Sequence, residues 1–140
     1  MLSRYQQKRS NTNRSWTRIQ MLIELYGETI SELQKVHDAL VSKTELEANT
    51  HRLKASVLIE AIVSGIDTEH GETPTQILQL CEFVMHSVSE GDVDRIQAGI
   101  RALETIQSGF LGIQSEATAL EESGEIPPLQ MDLAVVDSLS

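Results

Sequence analysis

The chain has one cysteine, Cys81, in 140 residues, so an internal disulfide is excluded. Aromatic side chains are almost as rare, at two Phe, two Tyr and one Trp. Ile, Leu, Val and Ala supply the apolar volume instead, a supply that suits helix packing better than a sandwich of sheets. Its three prolines stand at 74, 127 and 128, where helices begin or break. Basic charge is short as well. A formal charge of −10 argues against nucleic acid as the main ligand, because phosphate affinity rests on clustered Lys and Arg. No apolar run reaches the length of a membrane span, and no charged-then-apolar leader opens the chain, so membrane insertion is not expected. With a lone thiol, a reducing cytoplasm is the expected compartment. Cys81 sits among apolar neighbours and reads as a buried structural thiol rather than a nucleophile.

What the sequence does contain is helical periodicity. Between Thr17 and Leu40, the residues Ile19, Leu22, Ile23, Tyr26, Ile30, Leu33, Val36 and Leu40 recur at steps of three or four, with Ser15 or Thr17 available as the cap. Thr44 followed by Glu47 predicts a capping box for a second helix that runs to about Ser64 and stops at Gly65. Its apolar residues, from Leu46 through Leu53, Val57, Leu58, Ala61 and Ile62, form a stripe wide enough to touch two neighbours. Thr73, Pro74 and Gln76 predict the start of a third helix after a polar loop from Asp67 to Glu72. Gly91 ends it, and Asp92 caps a fourth helix whose stripe runs Ile96, Ile100, Leu103, Ile106, Phe110, Ile113, Ala117 and Leu120.

Four helices with short links predict an all-α fold, an antiparallel four-helix bundle over 17–121. An N-terminal arm, 1–16, precedes it and an acidic tail, 122–140, follows. The ends differ in sign: Arg4, Lys8, Arg9, Arg14 and Arg18 fall in the first eighteen residues without an acid, whereas the last twenty carry only acids. The arm can fold back onto the acidic body, or both ends can simply be solvated. Glu122-Ser123-Gly124-Glu125-Ile126-Pro127-Pro128 breaks any helix, so the tail is expected to be flexible.

Chemistry-bearing motifs are few. His37, His51, His70 and His86 fall on separate segments, with no His or Cys pair at helical spacing, so neither a metal site nor a cofactor is expected. There is no phosphate-binding glycine loop and no nucleophile with a recognisable base, and an enzyme is not expected. One local pattern, His51-Arg52-Leu53-Lys54-Ala55-Ser56, resembles the His-x-Leu-Lys-Gly-Ser signature of histidine phosphotransfer domains. It implies His51 as an alternative phosphoacceptor, set against the plainer reading of a polar patch on helix two.

A second resemblance is broader. Tyr5-Gln6-Gln7, then Gln20-Met21-Leu22, Lys54-Ala55, the stretch Gly65-Ile66-Asp67-Thr68-Glu69-His70-Gly71-Glu72, Asp92-Val93 and Phe110 resemble, in order and spacing, the flagellin export chaperones called FliS. Departures are Ile23-Glu24 in place of a Tyr-Asp pair, a missing Ala-Ser-Pro before helix one, Gly-Gly reduced to Gly71-Glu72, and a shorter link from helix three to four. The resemblance implies a cytoplasmic chaperone that holds the disordered C-terminal segment of flagellin, or of a flagellin-like export client, and prevents premature polymerisation. Independently of it, apolar grooves between bundle helices suit a disordered segment that folds on binding. The helix faces point to Leu22, Ile23, Leu53, Val57 and Ile62 as partner-binding residues. By analogy with the family, Tyr5, Gln6 and Gln7 form an arm that covers the groove when no client is bound. A homodimer is also compatible with the sequence.

Overall fold

A computed structural model describes residues 17–66 and 71–124 of the chain. The arm with Tyr5, Gln6 and Gln7, and the tail from 125 onward, lie outside the described residues. Four helices follow one another: α1 (Arg18–Val41), α2 (Glu45–Ser64), α3 (Glu72–Glu90) and α4 (Val93–Glu122). No strand occurs among the described residues, and the helices pack as an all-α four-helix bundle.

Helix α1 starts where the sequence offers a cap. Thr17 accepts a hydrogen bond from the Gln20 amide (3.4 Å), and the Gln20 side chain accepts one from the Thr17 amide (2.9 Å), so two otherwise orphaned donors are satisfied together. The helix then buries Met21, Leu25, Tyr26, Leu33 and Val36. It lies between α2 and α4, and its contacts with them are the most extensive in the molecule. Even its buried polar residue Thr29 is satisfied, donating to the Leu25 carbonyl at 2.8 Å.

Two expected helix starts differ from the observed ones. Thr44 does not form a capping box with Glu47; its hydroxyl donates back to the Ala39 carbonyl (3.2 Å), as does its amide (2.9 Å). The tight turn through Lys43, at φ 59°, places Thr44 under the end of α1, which leaves the Glu47 side chain to solvent. Helix α3 begins at Glu72 rather than after Thr73, with Gly71 as its cap at φ 108°. Pro74 then falls inside the first turn, where its missing amide proton costs no intrahelical bond.

The broad stripe expected on α2 divides in two. Ala48, Ala55, Leu58, Ile59 and Ile62 face the core, whereas Leu46 and Leu53 point to solvent at 81% and 72% exposure.

Helices α3 and α4 are joined by a turn of two residues. Gly91 takes the left-handed conformation (φ 68°) that ends α3, and Asp92 accepts from the Arg95 amide (3.1 Å) to start α4. Beyond the turn the two helices come very close at Gly99, where an added Cβ would lie 2.7 Å from Val84 Cγ2. Val84 is fully buried and β-branched, so it cannot readily swing aside. With 30 residues against 19, α4 runs about 17 Å further than α3, and its far end packs along the start of α1. There Arg18 donates its amide to Glu121 (2.9 Å), and the Thr17 and Thr118 hydroxyls share a hydrogen bond at 3.3 Å.

Gly99→Ala is expected to destabilise the bundle by about 1–3 kcal/mol through overpacking against Val84. Gly112→Ala, whose added Cβ meets nothing within 4 Å, should stabilise it by up to about 1 kcal/mol through helix propensity. Urea denaturation of both variants checks the opposite signs.

Candidate functional site

The close approach at Gly99 lies near the α3–α4 turn, and the two helices leave a groove between them further from it. One wall is the first half of α3, with Thr73, Gln76, Ile77 and Leu80; the other is the middle of α4, with Ala102, Thr105, Ile106, Gly109, Phe110 and Ile113. Both sets are spaced at three and four, so each wall is a single face of its helix. The groove is open to solvent and has a volume of about 790 Å³. Its α4 wall extends roughly 17 Å, the length of three helical turns.

The floor is held firmly. Phe110 meets Tyr26 of α1 edge to face, with ring centroids 5.2 Å apart and planes at 83°, a favoured aromatic geometry. Three residues earlier, Gln107 donates from Nε2 to the Ile23 carbonyl of α1 at 3.1 Å. Packing around Tyr26 is dry enough to push its phenol above the ordinary range, by burial first and then by the Cys81 charge. Ile113, at the open end, is half exposed at 51%, and Leu111 beside it is equally so.

The residues expected from the sequence to touch a partner do not line this groove. Leu22 and Ile23 are half-buried on α1, Leu53 is exposed and Val57 half-buried on α2, and Ile62 is closed into the core at 4% exposure. The groove residues Ile106, Phe110 and Ile113 were visible as part of the α4 stripe, and Ile77 as part of α3. What set them apart was missing from the periodicity, because a spare apolar face and a core face share the same spacing. Length is a partial signal: α4 outruns α3 by three turns, so its stripe from Ile113 onward has no α3 residue opposite it.

His51 is tied between helices rather than presented to solvent. Its Nδ1 lies 2.6 Å from Glu32 Oε2, and the two side chains are 22% and 8% exposed. Glu32 also has Lys35 at 3.7 Å. A carboxylate this enclosed needs such partners, so the pair accounts for a polar link between α1 and α2. Next to it, Arg52 reaches the α3–α4 turn: an added Cβ at Gly91 would lie 3.1 Å from its Nη2. Among the described residues, no group of three or more His, Cys, Asp or Glu could hold a metal ion, and no helix is long and apolar enough to cross a membrane.

Cys81 is buried at 1% exposure. Its thiol is pushed up from 9.0 to about 11, by desolvation first and by the nearby Glu82 charge second. The folded chain therefore keeps the proton through a range in which the unfolded chain releases it, and stability should fall as pH rises from 9.0 towards 11. Alkylation by iodoacetamide, followed by mass spectrometry, is expected to be at least about tenfold slower in the native chain than in urea.

No family model matches the chain, and comparison with curated proteins and with solved structures finds no match.

Proposed function

We propose that the protein is a helix-binding chaperone that holds an amphipathic segment of another protein in the groove between α3 and α4. The observation that carries this reading is an apolar channel about three turns long, walled by one face each of two helices. Its dimensions suit a helix rather than a compact small molecule, and Gly109 in the wall lets a partner backbone approach closely. A disordered client segment could fold into it, with its ordering entropy offset by burial of its apolar face.

The finer reading is an export chaperone for the C-terminal segment of flagellin or a flagellin-like client, acting in the cytoplasm to block premature polymerisation. It is supported by the distributed resemblance through Gln20-Met21-Leu22, Gly65 to Glu72, Asp92-Val93 and Phe110, the last of which lines the groove. The Thr17–Thr118 contact puts the start of α1 beside the end of α4. Phosphoryl transfer through His51 has less to stand on, since a phosphoacceptor must meet a docking partner in solvent and this ring is engaged with Glu32.

Isothermal titration with a flagellin C-terminal peptide tests the reading. Binding is expected for the wild type, with a loss of at least about tenfold for Ile113→Asp and no change for Leu53→Glu. Absence of heat at high-micromolar peptide, or equal binding by Ile113→Asp, overturns it. Transfer of label from a phosphorylated response regulator to the wild type but not to His51→Gln would establish the phosphotransfer alternative instead.

A further inference from the structure

Helix α2 has a second apolar face that the bundle does not use. Leu46 and Leu53 are the two most exposed of the large apolar side chains among the described residues, at 81% and 72%. With Thr50 and Val57 they form a row at steps of four, three and four, diametrically opposite the core residues Ala48, Ala55 and Ile59. That spacing is the half-heptad repeat by which one helix receives another. None of the four lines the α3–α4 groove.

We propose that this face is the seat of a second copy of the chain, with the two α2 helices antiparallel about a two-fold axis between Thr50 and Leu53. The charges beside the row select that occupant and that direction. Glu47 and Lys54 are both exposed, flank the row on the same side, and stand seven residues apart. An antiparallel pairing that sets Leu46 against Val57 of the second copy, and Thr50 against Leu53, brings Glu47 to Lys54 of the second copy, and symmetry repeats the contact. On the other flank lie Asn49 and Ser56, which are uncharged and do not repel their counterparts. A parallel pairing would place Asn49 beside Lys54 and lose both ion pairs. Because Thr44 bonds to Ala39 rather than forming a box with Glu47, the Glu47 carboxylate is left to make this contact.

A contact between two single helices falls at the small end of specific interfaces, so the association is concentration-dependent and weak. The pairing leaves both grooves open and does not depend on the proposed client. Sedimentation velocity from low-micromolar to sub-millimolar protein reads it directly. The wild type should move from monomer to dimer, Leu53→Glu should remain monomeric, and Glu47→Lys or Lys54→Glu alone should weaken association by about tenfold. The double exchange Glu47→Lys with Lys54→Glu should restore it. Glu47, Leu53 and Lys54 are all exposed, and circular dichroism verifies that each variant is folded. A wild type that stays monomeric throughout, a dimer that survives Leu53→Glu, or a dimer lost on Ile113→Asp overturns the proposal.

Discussion

Helix α1 packs between α2 and α4 through Leu25, Tyr26, Leu33 and Val36, all nearly inaccessible to solvent, and the other features of the molecule depend on that packing. It fixes α4 through the Tyr26–Phe110 ring contact and the Gln107–Ile23 hydrogen bond, and it fixes α2 through Glu32 and His51. Two neighbours held this firmly leave the remaining helix, α3, as the one least engaged with the others. Its contacts with α2 and α4 are sparser. The groove lies along it for that reason.

What holds α3 is concentrated near one end. Gly99 admits Val84 at a distance no side chain would allow, and Gly91 turns the chain beneath Arg52. From that clasp, α3 and α4 enclose an apolar channel instead of continuing in tight contact. Local packing is less complete beyond that clasp than in the core. Here rigidity near the turn and openness beyond it follow from where one glycine lies on α4.

The electrostatics divide in a similar way. The net charge is −10, yet the buried part of the charge is compensated within the bundle, as Glu32 with His51 and Lys35 shows. Exposed charge sits on the outer faces, where it adds little to the stability of the fold. Glu47 and Lys54 belong to that outer set, whereas Glu121 is spent on the amide at the start of α1.

The sequence by itself determined the helices and their order. Apolar steps of three and four placed Leu33, Val36, Ile96, Ile100 and Leu103 in the core, and Gly91 with Asp92 marked a turn whose geometry is local. Local capping was less legible, because Thr44 had a nearer acceptor in Ala39 than sequence spacing reveals. The site was decided only in three dimensions. Ile62 and Leu53 have the same apolar character, yet one is core and the other faces solvent, since the face a helix buries depends on where its neighbours lie. Likewise, Ile106 and Ile113 continue the stripe of Ile100 and Leu103, and they became a groove wall because α3 packs closely against α4 only near the turn. Periodicity records that a face is apolar; what covers it is set by helix length, close approach and the order of packing.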